Sequence, residues 1–288
     1  MNEAWRILRQ DPRLPGGIVD YHVHLFPERM FDAIWRAFVD HYDWRVIHQV
    51  YHDEAIRYLR GHGVSHIVYS NYAHRPGVAP GLNEWNLGIV DRYEDVYCFA
   101  AFHPDDPEAM AMARDVLQHP CVLGFKLQLL VQFISPDDER LFPLYELVME
   151  HEKRILFHVG TGPIGNPHVG LSFFRNLLER YPEMPANVAH MGGLEYRGFF
   201  ELLDEYPNLV FDTSFSFLEK TGLVCDVPRP ELERHMDHIV YGSDFPNLIL
   251  PREDEIEYLL GMDMSPEFYR RVFRDNGLAL LEGGMPGL

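Results

Sequence analysis

The chain has 288 residues, of which 47% are hydrophobic, with 22 glycines and 21 prolines, a composition typical of a globular protein rather than a disordered or fibrous one. Its net charge of −19 is spread along the sequence and argues against a nucleic acid or an anionic membrane as partner, since both need a basic surface. Length alone would allow two domains, but α/β barrels often use about 250 residues as one domain. Because no linker or repeat is visible, we expect a single domain over residues 1–288.

The cysteines and the N-terminus indicate the compartment. Cys98, Cys121 and Cys225 are far apart and show no C-x-x-C spacing, so they predict neither a disulfide framework nor a thiolate zinc site. The N-terminal segment lacks an apolar signal core, and nowhere do about 18 apolar residues run together. We expect a soluble, unprocessed protein of the reducing cytoplasm.

Residues 18–24 have the pattern of a buried strand that ends with two histidines. Side chains alternate along a strand, so His22 and His24 are predicted to share one face. Neutral imidazole is a common ligand for zinc and other first-row metals, and such a site needs further nitrogen or carboxylate ligands. This strand therefore predicts part of a metal site that later segments must complete.

An aromatic-rich segment follows, from Glu28 to about Ala55, in which Phe31, Trp35 and Phe38 repeat with a helical period. It is longer than an ordinary connection between a strand and a helix, and long loops in compact domains are often lids or binding segments. Two interpretations stay open: a lid or binding segment, and a helical insertion that packs on the barrel.

The remaining chain alternates short apolar runs with helical patterns. Strands are predicted at 64–70, 96–102, 122–127, 155–159, 186–190, 209–213 and 238–244. Helices are predicted between them, and the last helical region is expected to break at Gly277 in a left-handed conformation. Eight short apolar strands that alternate with helices predict an α/β fold, a (β/α)8 TIM barrel with a helical insertion after strand 1.

Chemically reactive residues lie at the carboxyl ends of four predicted strands, where a barrel builds its active site. They are His22, His24, His158, His190 and Asp244. One histidine at a strand end is most often structural. Five such positions are not expected of packed strands, because a polar group buried without a partner is costly. Together they predict one active site.

Four motifs around these residues resemble the successive motifs of the amidohydrolase superfamily. They are Asp20-Tyr21-His22-Val23-His24, Phe157-His158-Val159-Gly160, Ala189-His190-Met191-Gly192-Gly193 and Tyr241-Gly242-Ser243-Asp244-Phe245-Pro246. The resemblance covers about residues 18–282. It is strongest to the branch that includes aminocarboxymuconate-semialdehyde decarboxylase and related aromatic-acid decarboxylases, alongside many metal-dependent hydrolases.

The resemblance implies that His22, His24, His158 and Asp244 hold one divalent ion, most simply Zn²⁺, with a water in an open position. Asp244 would also take or deliver the proton of that water. His190 resembles the strand-six histidine that orients the water or acts as acid and base in the mononuclear branch. A second interpretation makes His190 a further metal ligand.

Lys126 is the third candidate catalytic residue, beside Asp244 and His190. It alternates with Phe125 and Leu127 on strand 4, so its amine points into the barrel if those two face the helices. Three roles stay open: a substrate-binding or electrostatic role first, a carboxylated bridging ligand as in binuclear members of the superfamily second, and a structural pair third.

A glycine-rich segment, residues 160–165, matches G-x-G-x-x-G after a strand. A dinucleotide-binding segment would run straight into a helix, whereas Asn166 and Pro167 intervene here. We therefore expect a mobile loop beside the substrate.

Two enzymatic functions fit these residues. The first is a hydrolase in which a metal-bound hydroxide attacks the carbonyl carbon of an amide, ester or lactone. The second is a nonoxidative decarboxylase, a carbon-carbon lyase, of an aromatic or dienoic acid, with Arg45, Arg75 or Lys126 binding the carboxylate. A noncatalytic barrel is disfavoured because every ligand position is filled. The expected partners are a small-molecule substrate, such as a carboxylic acid, and a second copy of the chain in a homodimer.

Overall fold

The computed structural model describes residues 3–162, 165–221 and 223–287. Within them, eight parallel strands form one sheet in chain order. The strands are β1 (Ile18–His24), β2 (Val64–Ser70), β3 (Val96–Ala101), β4 (Val122–Gln128), β5 (Arg154–His158), β6 (Ala186–Val188), β7 (Leu209–Asp212) and β8 (Ile239–Val240). Between β7 and β8, Phe217–Leu218 and Leu223–Val224 form a small antiparallel hairpin.

Helices separate the strands. The α-helices are α1 (Glu3–Leu8), α2 (Glu28–Tyr42), α3 (His52–Gly61), α4 (Ala79–Val90), α5 (Ala109–Val116), α6 (Leu129–Gln132), α7 (Phe142–Glu150), α8 (Leu171–Arg180), α9 (Tyr196–Glu201), α10 (Arg229–Arg234), α11 (Arg252–Gly261), α12 (Pro266–Arg270) and α13 (Asn276–Leu281). Shorter 3₁₀ or π segments lie at Glu139–Leu141, Ala189–Glu195, Leu202–Asp204, Glu219–Thr221, Met236–His238 and Arg271–Asp275. In the part of the chain that is described, no helix is long and apolar enough to cross a membrane.

The predicted TIM barrel with a helical insertion after strand 1 is confirmed; the insertion is the segment between β1 and α3, which contains α2. The inside of the barrel is filled by apolar side chains that the strands contribute, as is usual for this fold. These are Val19, Tyr21, Val68, Phe99, Leu123, Leu156, Val210 and Val240. This packing leaves the carboxyl ends of the strands to form a site.

The barrel closes between β1 and the segment after β8 through irregular backbone contacts. The amide of His24 donates to the carbonyl of Phe245 at 2.8 Å, and the amide of Asp244 donates to the carbonyl of His22 at 2.8 Å. The predicted eighth strand is therefore shorter than expected, because residues after Val240 leave regular pairing. The same contacts bring Asp244 beside the two histidines of β1.

The predicted left-handed break at Gly277 is wrong, because Gly277 lies inside α13 and its φ is not positive. A Cβ atom on Gly277 would lie 2.6 Å from Val19 Cγ1. A side chain at this position would thus press into β1, so the close approach of α13 to the barrel explains the glycine.

We expect Gly277→Ala to lower the free energy of unfolding by about 1–3 kcal/mol, because the added methyl group overpacks the contact with Val19. Gly88→Ala is the matched control, since Gly88 is an exposed helical glycine in α4 and a Cβ there meets nothing within 4 Å. That control should be neutral or stabilising by up to about 1 kcal/mol. Urea unfolding measures both, and equal stabilities of the two variants would contradict this account of α13.

Candidate metal centre

His22 is fixed by a buried carboxylate at the end of β7. His22 Nδ1 lies 2.8 Å from Asp212 Oδ2, and both side chains are almost fully buried. Burial lowers the pKa of His22 to about 4, although Asp212 opposes that shift, so the imidazole is neutral at pH 7. A neutral ring that donates a hydrogen bond from Nδ1–H to Asp212 presents the lone pair of Nε2 to the barrel mouth.

His24 has the same arrangement with a backbone partner. Its Nδ1 lies 3.2 Å from the carbonyl oxygen of Ser70 on β2. When the neutral ring donates to this carbonyl, Nε2 carries a lone pair. That Nε2 lies 3.0 Å from Asp244 Oδ1.

Asp244 completes a group of acceptor atoms. Its Oδ1 lies 3.5 Å from His22 Nε2, and both atoms are buried without a hydrogen-bond partner among the residues described. Burial raises the pKa of Asp244, but His24 and His22 outweigh it and lower the pKa to about 2, so the carboxylate is ionised. When both rings carry their protons on Nδ1, the Nε2 lone pairs of His22 and His24 and the carboxylate of Asp244 face each other without a donor, an arrangement that fits a cation.

His190 joins this group. One possible ligand atom each from His22, His190 and Asp244 lie within 4.8 Å of one another. His190 Nδ1 lies 3.0 Å from the carbonyl oxygen of Ser214, which leaves Nε2 as the free nitrogen. The residue has a left-handed φ of 57°, and its amide donates to Asp212 Oδ1 at 3.1 Å. Both predicted roles, acid and base or further ligand, fit this position.

The structure places His158 beside the group but does not turn it inward. Its ring lies 4.7 Å from the His190 ring, between centroids. Its Nε2 instead donates to the carbonyl of Gly162 at 3.0 Å. Of the loop predicted after this strand, Pro163 and Ile164 lie outside the described residues. Ligation through His158 Nε2 would therefore require this hydrogen bond to open.

Lys126 lies buried in the barrel, and its Nζ has no hydrogen-bond partner in the described ranges. Burial lowers the pKa of Lys126 to about 8, while Asp212 and Asp244 oppose the shift. The amine therefore stays mainly protonated at pH 7, close enough to these two carboxylates to balance their charge. This position favours the electrostatic role among the three that were left open.

Sequence reasoning gave no role to Asp212 or Ser214. Ser214 Oγ contacts Asp212 Oδ1 and lies 2.8 Å from His190 Nδ1. Burial raises the pKa of Asp212, but His22, His190 and Ser214 outweigh it and hold the pKa well below its ordinary value. Asp212 ends a predicted strand, as Asp244 does, so its position at a strand end was a signal that could have found it.

A cavity of about 270 Å³ opens over the candidate metal centre and is lined on that side by His24, His158, His190 and Asp244. Its walls are mainly apolar, and six of the lining side chains are those of Phe, Tyr or Trp. The aromatic wall residues are Phe38, Tyr42, Trp44, Tyr72, Tyr196 and Phe215. The insertion after β1 supplies the first three of them, so it is both a helix that packs on the barrel and a segment that lines the cavity.

The two arginines proposed as carboxylate clamps are not in this cavity. Arg45 is exposed, with Asp43 at 3.9 Å, and Arg75 is also exposed. Of the described residues that line the cavity, none is an arginine or a lysine. The side chains of both arginines face solvent instead.

Solved structures of similar fold include 5-carboxyvanillate decarboxylase from Novosphingobium aromaticivorans, complexed with manganese and 4-hydroxy-3-methoxy-5-nitrobenzoic acid. It has a TM-score of 0.71 and 14% identity, with 93% of this chain and 96% of that chain covered. A dihydroxybenzoic acid decarboxylase from Polaromonas, with manganese and 2-nitroresorcinol, has a TM-score of 0.65, 14% identity and coverages of 93% and 97%.

A third structure is a probable 2-pyrone-4,6-dicarboxylic acid hydrolase from Acinetobacter baumannii with citric acid bound. Its TM-score is 0.60, with 15% identity and coverages of 92% and 99%. At these identities the likeness shows the fold. Comparison with curated proteins finds no match. The family model described as amidohydrolase matches residues 19–282, so the chain belongs to the amidohydrolase family, as its motifs predicted.

Proposed function

We propose that the protein is a metal-dependent nonoxidative decarboxylase of a planar aromatic carboxylic acid. The observation that carries this proposal is the aromatic cavity over the histidines and Asp244, with no arginine or lysine among the described lining residues. Aromatic walls bind a flat ring through apolar area and stacking. An apolar site also withdraws water from a carboxylate, which favours its loss as neutral carbon dioxide.

The residues that would hold the ion are His22, His24 and Asp244, with His158 as the fourth ligand once its hydrogen bond to the Gly162 carbonyl opens. Imidazole nitrogens and one carboxylate suit Zn²⁺, the ion expected from the sequence, and also Mn²⁺. Two structural neighbours with aromatic ligands contain manganese, which supports a divalent ion here. Such an ion would polarise a substrate oxygen and lower the pKa of a coordinated water.

The chain's own residues handle the proton and the charge. Decarboxylation adds a proton to the ring carbon that carries the carboxylate; the carbon-carbon bond then breaks, and its electron pair returns to the ring as carbon dioxide leaves. His190 carries that proton on Nε2, because its Nδ1 is engaged by the Ser214 carbonyl. Asp244 starts ionised, takes a proton from solvent and passes it to His190, so that one proton is consumed for each carbon dioxide released. Lys126 balances the charge of Asp212 and Asp244.

Hydrolysis is the second candidate, favoured by the position of ionised Asp244 beside His190, where the two can take the proton of an attacking water. The neighbouring probable hydrolase holds citric acid, which has three carboxyl groups. A polyanion needs several cationic partners, and the cavity lining described here offers no guanidinium or ammonium group. Hydrolysis at this site would therefore require an uncharged ester, amide or lactone as the substrate.

Three expectations from the sequence belong to the same proposal: a single domain over residues 1–288, a cytoplasmic location and a homodimer. The free thiols of Cys98, Cys121 and Cys225 support a reducing compartment.

We expect the purified protein to bind one Zn²⁺ or Mn²⁺ per chain, and His22→Ala to abolish this binding because it removes a nitrogen at the centre of the group. Asp212→Asn should weaken binding by about 10- to 100-fold, since it disturbs the partner that orients His22. Calorimetric titration of metal-free protein measures both effects. His119→Ala, a change near the surface, is the control, and unchanged metal affinity in His22→Ala would refute the site.

We expect the metal-loaded protein to release carbon dioxide from one or more members of a panel of aromatic monocarboxylic acids that includes dihydroxybenzoic acids. Asp244→Asn should reduce the rate by at least about 100-fold, because it removes a proton-transfer group and a ligand. In D₂O the product should carry deuterium at the carbon that lost the carboxylate. The exposed Asp263→Asn change is the control, and turnover of esters or lactones with no carbon dioxide from any acid would favour the hydrolase instead.

A further inference from the structure

Asn247 is a polar side chain in the aromatic cavity that no role assigned above uses. It lies three residues after Asp244 and is 3% exposed, and it lines the cavity. The backbone N–H of Asn247 donates to the carbonyl of Asp244 at 3.0 Å, which ties the position of this residue to the candidate metal centre. A polar side chain in this place is in reach of a substrate held at the metal centre.

Trp35 of α2 fixes the orientation of the Asn247 side chain. Trp35 Nε1 donates to Asn247 Oδ1 at 3.2 Å, and Trp35 is itself buried between Phe31 and Tyr51, with ring centroids at 4.9 and 5.8 Å. An indole N–H is only a donor, so it must face the oxygen of the amide and not the nitrogen. The Asn247 amide group therefore has one defined orientation.

The other end of this amide is left for a ligand. Within the described part of the chain, Asn247 Nδ2 makes no hydrogen bond. A second contact holds the insertion on the same loop, since the amide of Ile47 donates to the carbonyl of Leu248 at 2.9 Å. Nδ2 is thus a pre-oriented donor in a cavity whose walls are mainly apolar.

We propose that Asn247 is a substrate-binding residue that donates from Nδ2 to an acceptor oxygen of the substrate, and that Trp35 is the positioning residue that holds the amide in this orientation. The proposal rests on the proposed function, because it assumes an aromatic substrate next to Asp244. It makes the insertion after β1 responsible for selectivity as well as for the cavity wall. Substrates with an oxygen acceptor near the reacting carbon are selected over purely apolar rings of the same shape.

The test uses Mn²⁺-loaded protein and two probes of similar shape, benzoate and toluene, which differ in a carboxylate against a methyl group. Calorimetry gives Kd for each probe, and the metal content of every variant is measured so that loss of the ion is not mistaken for loss of the contact. Asn247→Ala should raise the Kd of benzoate by about tenfold and leave the Kd of toluene unchanged. Trp35→Phe, which keeps an aromatic ring but lacks the N–H, should weaken benzoate by a smaller factor.

Asn247→Asp separates a donor from a structural role. The variant is nearly isosteric and still accepts from Trp35, but it replaces the Nδ2 donor by an oxygen that repels the carboxylate. A donor role predicts that Asn247→Asp binds benzoate more weakly than Asn247→Ala, with toluene binding unchanged in both variants. A structural role predicts that Asn247→Ala weakens the binding of both probes and that Asn247→Asp, which still accepts from Trp35, restores the binding of toluene. Trp85→Phe is the matched control, because Trp85 packs against His52 and Tyr69 outside the cavity.

The outcomes distinguish this inference from the proposed function. The contact between Asn247 Nδ2 and the substrate is supported if Asn247→Asp weakens benzoate binding more than Asn247→Ala does, while toluene binding is unchanged. Equal losses for benzoate and toluene, or Asp binding benzoate better than Ala, overturn it and leave the proposed function standing. Wild-type protein that binds neither probe contradicts the aromatic-substrate proposal, and with it this inference.

Discussion

The hydrogen bond between His22 and Asp212 decides which nitrogen of His22 faces the barrel mouth. Burial keeps the imidazole neutral, and the Nδ1–H group donates a hydrogen bond to the Asp212 carboxylate, so the lone pair of Nε2 points toward Asp244. Ser70 and Ser214 do the same for His24 and His190 with their carbonyl oxygens. Three imidazoles are thus held in one tautomer each by the strands around them. The chemistry of the site depends on these three hydrogen-bond acceptors behind the imidazoles.

Barrel closure puts Asp244 next to these imidazoles. After β8 the chain leaves regular pairing, and Asp244 adopts a left-handed φ of 62°. Asp20 stabilises the same closure from the helix side, since its Oδ1 accepts from the amide of Ser243 at 3.0 Å and its Oδ2 lies 3.6 Å from Nε of buried Arg252. The irregular segment is therefore anchored on both faces, which lets a loop carry a site residue with the rigidity of a strand.

Much of this was readable from the sequence. The barrel followed from short apolar runs that alternate with helices, and the positions of His22, His190 and Asp244 followed from the rule that barrel sites form at carboxyl ends. What could not be read was the direction of each side chain. The turn of His158 toward Gly162 depends on the backbone of its own loop, which strand periodicity does not fix. The Trp35–Asn247 contact joins residues 212 positions apart, so no local pattern reports it.

The central claim is that the histidines of β1 and Asp244 form a metal site at the mouth of an aromatic cavity. Anomalous diffraction from crystals of the protein soaked in Mn²⁺ tests it most directly. The account predicts one strong peak per chain at about 2.0–2.3 Å from His22 Nε2, His24 Nε2 and a carboxylate oxygen of Asp244. A fully soaked crystal with no peak among these atoms, or with its strongest peak outside the cavity, would contradict it.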